Sequence, residues 1–272
     1  MNKTLFIDFD GTLADRGRVP PAQLDALRAV RAAGHRVILC TGRSRVMVPE
    51  VVRESEFDGL VCAAGGYVYI DGEVLADVRF PARLASAVVT ALTDADAVFL
   101  LEAPERSICT PESVRRLEAS FTAAFGARDA AAMWQEFAEV IQVEDELASC
   151  SFSKVSVFDS PLPVAEYVAA IGTEIGALPN SITGTGGHAG ELFLRDVHKA
   201  VGIAVVERHL GLRRADLIAI GDGLNDVEML EYAQVGVAVA GSPPELLAVA
   251  QCVIPGPADA GLAHCFADLG LL

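Results

Sequence analysis

The segment Thr4-Leu5-Phe6-Ile7-Asp8-Phe9-Asp10-Gly11-Thr12 decides the fold. A four-residue apolar run stops at once on two carboxylates and a glycine. Short apolar runs bounded by turn residues read as strands buried on both faces, the situation of a parallel sheet. The pattern recurs. Arg36 to Cys40 ends in Thr41-Gly42-Arg43, and Gly59 to Ala63 reads as a third strand. Leu217 to Ile220 ends in Gly221-Asp222-Gly223-Leu224-Asn225-Asp226, and Val235 to Val239 and Val253-Ile254 follow. Between these runs lie helical stretches. Pro20 to Ala33 places Leu24, Leu27 and Val30 on one side and closes at Gly34; Val46 to Glu54 reads as a short helix; Val197 to Leu210 stops at Gly211. Strand and helix in alternation predict an α/β fold, a doubly wound parallel sheet with helices on both faces.

The rhythm changes after residue 65. Tyr67 to Ile70 and Val74 to Phe80 flank Asp71-Gly72, a hairpin turn signal. Helices are expected at Pro81 to Leu92, Pro111 to Phe125 and Pro161 to Ile175, with strands at Val98 to Leu101 and Val155 to Phe158. This mixture predicts an α+β unit inserted into the parallel one. The expected division is a core of residues 1–78 and 186–272 with an inserted cap at 79–185. The glycine-rich stretch Gly184 to Gly190 reads as the loop that joins insert to core; its spacing and its strand-like sequel do not fit a dinucleotide site.

The chain has 272 residues, of which 52% are hydrophobic and 21% charged, so it can bury a large core. Its net charge of −16 argues against a nucleic-acid or anionic-membrane binder, since both need a basic face. It does not argue against a small anionic substrate, because a bound metal inverts the local field. The six cysteines form no C-x-x-C pair and read as reduced thiols of a cytoplasmic protein. The five histidines form no metal-binding pattern; His188 stands out for its glycine-rich surroundings. Trp134 reads as a core residue of the insert.

Three strand ends carry polar clusters: Asp8 with Asp10, Thr41 with Arg43, and Asp222 with Asn225 and Asp226. In an open parallel sheet, ligands bind beyond the carboxyl ends of the strands, so three distant runs aim at one crevice. Either acidic pair alone would read as turn acids; all the clusters together favour a site. Two close carboxylates repel unless a cation lies between them, and Asp222 adds a third oxygen ligand. Carboxylates, a backbone carbonyl and water are the ligands Mg²⁺ prefers. A carboxylate at Asp8 can attack phosphorus to give an aspartyl phosphate, given charge neutralisation by Mg²⁺ and a lysine. Asp10 can donate a proton to the leaving alkoxide and later take one from water. The Thr41 hydroxyl and Gly42 amide can hold phosphoryl oxygens. Lys199, opening a helix, can pair with both the phosphoryl group and Asp8. For Arg43, contact with substrate and pairing with a neighbouring acid weigh equally.

These residues resemble the haloacid dehalogenase-like (HAD) phosphohydrolase superfamily. Its four motifs appear in order: Asp8-x-Asp10-Gly11-Thr12, Thr41, Lys199, and Gly221-Asp222 with Asp226. Thr41-Gly42-Arg43, the Asn225-Asp226 pair and a large insert between the second and third motifs resemble its Cof-type subfamily with a C2 (type B) cap. The resemblance implies roles. Asp8 is nucleophile and Mg²⁺ ligand, Asp10 the general acid/base and a ligand through its carbonyl, and Asp222 the remaining protein ligand. Asp226 orients the metal's shell; Thr41 and Lys199 hold the phosphoryl group, and Asn225 supports the phosphate or Lys199. The sequence departs from the family at Ala64-Gly65-Gly66, Lys199-Ala200 and Gly241-Ser242, positions on the substrate side of the site. The implied activity is a Mg²⁺-dependent phosphatase of small phosphorylated metabolites, sugar phosphates among them. A phosphomutase on the same fold and a non-catalytic phospho-aspartate module are the alternatives; the latter is shorter and needs no Asp10.

Overall fold

The computed structural model describes residues 2–55, 57–179 and 187–272. Contacts divide the chain into two units: Met1–Arg43, Val48–Asp77 and Val197–Leu272 form the first, Ser44–Met47 and Val78–Asp196 the second.

The first unit opens with β1 (Thr4–Ile7), α1 (Pro21–Ala32), β2 (Arg36–Cys40), α2 (Glu50–Ser55) and β3 (Gly59–Cys62). The hairpin β4 (Tyr67–Ile70) and β5 (Glu73–Asp77) follows. The second unit runs α3 (Ala82–Asp94), β6 (Val98–Glu102), β7 (Ser107–Cys109), α4 (Pro111–Glu139), β8 (Ile141–Val143), β9 (Lys154–Asp159), α5 (Val164–Ile171), β10 (Ile175–Pro179) and β11 (Gly190–Leu194). The first unit resumes with α6 (Lys199–Leu210), β12 (Leu217–Gly221), α7 (Val227–Tyr232), β13 (Val235–Val239), α8 (Pro244–Val249), β14 (Cys252–Ile254) and α9 (Gly261–Asp268).

Among the described residues the first unit's sheet has the order β14-β13-β12-β1-β2-β3-β4-β5. It is parallel from β14 to β3, and the β4–β5 hairpin adds two antiparallel strands. The order reverses at β1, where β12 lies on one side and β2 on the other. The side-chain period of two explains the unbroken apolar runs. Leu5 and Ile7 enter a cluster with Leu27, Val30 and Phe266, from α1 and α9. Phe6 enters another with Ile203, Met229 and Leu246, from α6, α7 and α8. Both faces are thus covered, and polar groups are confined to the strand ends.

The second unit is a sheet of order β10-β11-β9-β6-β7-β8, antiparallel except for β7–β8. Phe99, Leu101, Val155 and Val157 pack with α3 and α5 on one face. Val98 and Leu100 pack with Leu117 of α4 on the other, where Trp134 and Phe137 join them.

Several boundaries differ from expectation. β11 pairs antiparallel with β10 and β9, so residues 190–194 belong to the second unit; the core resumes at Val197, not 186. The long segment of the second unit begins at Val78, one residue before the expected 79, and the short segment Ser44–Met47 also belongs to that unit. Residues 180–186, with Gly184 to Gly186 of the glycine-rich stretch and the expected boundary at 186, lie outside the described residues. α4 continues past Gly126 to Glu139, because the run Ala130-Ala131-Ala132 has the strongest helix propensity. α5 stops at Ile171, where Gly172 takes φ +135°, and Ile175 starts a strand instead. The expected 46–54 helix is split into a 3₁₀ turn at Arg45–Met47 and α2, because Pro49 disfavours helical backbone at the residue before it. The third strand ends at Cys62, since Ala63 is left-handed. Cys40, Cys62, Cys109 and Cys265 are buried, Cys150 and Cys252 half-buried, and none is bridged. No helix among the described residues is long and apolar enough to cross a membrane.

The β4–β5 turn has positive φ at both Asp71 (+50°) and Gly72 (+87°), the two-residue geometry that matches strand twist. A Cβ at Gly72 meets open space, whereas at Gly65 (φ +104°) it would sit 2.2 Å from the His198 carbonyl oxygen. Gly72→Ala should therefore cost about 1 kcal/mol, from backbone strain alone. Gly65→Ala should cost clearly more in urea denaturation, and equal losses would contradict this account.

Candidate active site

The site lies at the carboxyl ends of β1, β2 and β12. The Asp8 amide donates to the Ile220 carbonyl (2.9 Å), which carries the β1–β12 pairing past the strand end and fixes the carboxylate beside β12. Lys199, the first residue of α6, is completely buried. Its Nζ donates to Asp8 Oδ1 (2.6 Å) and to Asp226 Oδ1 (2.5 Å). The other Asp226 oxygen accepts the amides of Asp222 (3.0 Å) and Gly223 (2.9 Å). Asp226 is thus fully engaged, and it fixes both the lysine and the turn that follows β12. Asp222 Oδ1 accepts the Thr12 hydroxyl (2.9 Å). Gly11 makes room for that carboxylate: a Cβ there would sit 2.1 Å from Asp222 Oδ2, and its φ is +83°.

Carboxylate oxygens of Asp8, Asp222 and Asp226 lie within 4.8 Å of one another. One ammonium faces these three carboxylates, so negative charge is in excess. Burial pushes the Asp8 carboxyl well above the usual range; Lys199 opposes this, and Asp226 and Asp222 add to it. Asp222 is pushed up to about 6, first by burial and then by Asp226. Burial alone would lower Lys199, but Asp226 and Asp8 outweigh it and hold the ammonium above the usual lysine range. It stays charged across the physiological range. A group of hard oxygens with surplus negative charge suits a hard divalent cation.

At the end of β2, Thr41 is buried, and its hydroxyl oxygen accepts the Arg43 amide (3.1 Å). Accepting uses a lone pair and leaves the O–H proton to donate. Gly42 is half-buried beside it. Arg43 resolves the even choice between substrate and acid: Nε donates to Asp10 Oδ2 and Nη2 to Asp10 Oδ1, both at 2.7 Å. Asn225 Oδ1 lies against Gly223, where a Cβ would be 2.6 Å away; the partners described for Lys199 are Asp8 and Asp226, not Asn225. His188 is in the second unit, its Nδ1 2.8 Å from the Ser160 carbonyl oxygen.

Three features lay outside the sequence reading. Thr12 orients Asp222, a function its place in the Asp8-x-Asp10-Gly11-Thr12 box could have suggested. Ala63 (φ +49°) and Ala64 (φ +53°) are consecutive left-handed alanines after β3, and only Gly65 beside them favours such backbone. Their amides donate to the carbonyls of Arg43 (2.7 Å) and Thr41 (3.1 Å). In the second unit, buried Lys154 donates to Glu191 (2.7 Å) and faces buried Glu102 (3.5 Å). Glu102 also accepts the Ser44 amide and the Ser156 hydroxyl. Glu102 and Lys154 flank apolar runs, which gave no signal of pairing.

The haloacid dehalogenase-like hydrolase family model matches residues 5–266. YkrA of Bacillus subtilis (strain 168), which carries a phosphatase name, is 26% identical over 282 residues, covering 100% of this chain and 99% of YkrA. A phosphoglycolate phosphatase of Methanoculleus marisnigri is 26% identical over 254 residues, covering 93% of this chain and 90% of that protein. Among solved structures, a protein of Geobacillus kaustophilus HTA426 superposes with TM-score 0.82 at 23% identity, and the HAD subclass IIB sugar phosphatase BT4131 with 0.78 at 19%; both cover 100% of each chain. At those identities the structures establish the shared fold. The family match spans nearly the whole chain and includes every strand end described above: this chain belongs to the haloacid dehalogenase-like hydrolases and is a phosphatase-type enzyme.

Proposed function

We propose that the protein hydrolyses phosphate monoesters of small metabolites, sugar phosphates among them, through an aspartyl phosphate on Asp8. The observation that carries this reading is the buried Lys199 ammonium bridging Asp8 and Asp226. A carboxylate attacking a phosphate dianion needs positive charge beside it, and Lys199 supplies a permanent one. In the first step an Asp8 oxygen bonds to phosphorus and the bond to the leaving oxygen breaks. Asp10 gives its proton to that oxygen, and the alcohol departs. In the second step Asp10 takes a proton from water, the water oxygen bonds to phosphorus, and the Asp8–phosphorus bond breaks. Inorganic phosphate leaves and both aspartates are restored. Thr41 and Gly42 orient the phosphoryl oxygens. The relatives named as phosphatases support this chemistry, and BT4131's name as a sugar phosphatase supports the substrate class.

The acidic group fits Mg²⁺. Asp8 and Asp222 would hold it, with the Asp10 carbonyl, while Asp226, already engaged on both oxygens, holds Lys199 and the turn. When bound, the ion supplies charge neutralisation for the nucleophile and the phosphoryl group. The second unit is the proposed substrate-selecting cap. A small metabolite is the proposed partner, with no nucleic acid or membrane, and the cytoplasm the proposed location.

Asp8→Asn should abolish phosphate release from every substrate of a phosphorylated-metabolite panel while keeping a wild-type circular dichroism spectrum. Turnover near wild type in that variant refutes the covalent route. The wild type should be active with millimolar Mg²⁺ and lose nearly all activity in chelator.

A second test needs no turnover. The folded-state pKa of Asp222 lies above its unfolded value, so folding favours the protonated form. That contribution is present below about pH 4 and is lost as pH rises through about 6. In chelator, Asp222→Asn should therefore melt higher than wild type at pH 8, and the gap should close toward pH 4. Millimolar Mg²⁺ should raise the wild-type melting temperature at pH 8 and leave the variant's unchanged. A variant stabilised equally by Mg²⁺ would remove Asp222 from the ion site.

A further inference from the structure

The geometry points to Arg43 as a positioning residue that fixes the carboxylate of Asp10 for proton transfer, rather than a residue that binds the phosphoryl group. This rests on the acid/base reading of Asp10 given above. Both oxygens of Asp10 are held by one planar guanidinium, through Nε and Nη2 at 2.7 Å each. Such a fork fixes the plane of the carboxylate as well as its place, because rotation about the terminal bond breaks both hydrogen bonds. The guanidinium is itself stacked on Phe9, the residue between the two aspartates, 4.7 Å from the ring centroid. Phe9 is completely buried and cannot yield. One residue of the Asp8-Phe9-Asp10 segment thus forms the platform for the clamp on its neighbour.

The backbone of Arg43 is held as firmly. Its amide donates to Thr41 Oγ1 and its carbonyl accepts the Ala63 amide. That last bond comes from the left-handed pair Ala63-Ala64. Left-handed backbone costs an alanine about 1–2 kcal/mol per residue, and strain of this kind persists where the surroundings over-determine it. Here it delivers two consecutive amides to the carbonyls of Arg43 and Thr41. A surface ion pair of ordinary worth needs neither a ring platform nor a strained brace. Arg43 Nε and Nη2 both point at Asp10, so the planar edge of the guanidinium that forms a fork is turned to that carboxylate.

The test separates leaving-group protonation from phosphate binding. A primary alkyl phosphate needs its leaving oxygen protonated; p-nitrophenyl phosphate does not, because p-nitrophenolate leaves unaided. The quantity compared is kcat/KM, which reports the steps up to departure of the leaving group. Arg43→Ala and Arg43→Lys should each lose about 30-fold or more on the alkyl phosphate, within the range of general acid catalysis. On p-nitrophenyl phosphate the loss should be under about threefold, and inhibition by inorganic phosphate should weaken by no more than that. Lysine fails because a single ammonium cannot span two oxygens. Methylguanidinium added to Arg43→Ala should restore the alkyl activity in part. Equal losses on both substrates, with inhibition by inorganic phosphate weakened in step, would overturn the inference and return Arg43 to phosphate binding. Asp10→Asn is the reference. If it too lacks the asymmetry, the acid/base reading falls and this inference with it. If it shows the asymmetry and the arginine variants do not, this inference falls alone.

Discussion

A single buried ammonium organises the site. Lys199 Nζ lies between Asp8 and Asp226 with no exposure to solvent. Taking either carboxylate out of water without it would cost several kcal/mol, and removing the lysine from the folded chain would strand two buried anions. Much of the first unit serves this placement. α6 must begin close against β3, and two glycines permit it. A Cβ at Gly202 would lie 2.4 Å from Val61, and one at Gly65 would strike the backbone that leads into Lys199. At the other end, Asp226 is pinned by the amides of Asp222 and Gly223, so the lysine's second partner also orders the turn carrying Asp222. Asp8, Lys199 and Asp222 are therefore set by one connected network rather than by independent loops.

The sheet explains why these groups converge. Strands β1, β2 and β12 are buried on both faces, so apolar side chains fill their length. Polar residues are tolerated only where each strand ends, and in parallel strands those ends share one edge. The reversal of order at β1 opens a crevice there, between β2 and β12. The same constraint that makes the strands monotonous in sequence makes their last residues chemically informative.

That constraint also sets what could be read in advance. Strand runs ending on Asp8, Thr41 and Asp222 gave the parallel core and its convergent edge, because periodicity and turn residues are local signals. Lys199 was legible only by its place before the Asp222 strand. The bond between Arg43 and Asp10 was not legible: a guanidinium at a strand end has several acids within reach, and only the fold chooses among them. The left-handed alanines were invisible for a different reason. Alanine carries no sequence signal for positive φ, so tertiary bonds to Thr41 and Arg43 had to impose it. The second unit was read least well. The long α4 passes through a glycine, and the Glu102–Lys154 pair joins residues whose own neighbours are apolar.

The two aspartates of the first motif stand two residues apart, yet their surroundings differ in the way their proposed roles require. The side chain of Asp8 is 8% exposed and tied to a buried lysine, whereas that of Asp10 is 38% exposed and tied to an arginine that is itself partly in solvent. A nucleophile must be desolvated and fixed in line with phosphorus, since water around it would screen its charge and blur its position. A general acid must recover a proton each turnover, which needs a route to water. Exchanging the roles would ask a sealed carboxylate to exchange protons with solvent and a half-solvated one to attack an anion. The backbone enforces the division. Phe9, wholly buried between them, separates Asp8, which faces Lys199 of α6, from Asp10 at the rim, within reach of Arg43 in the segment after β2.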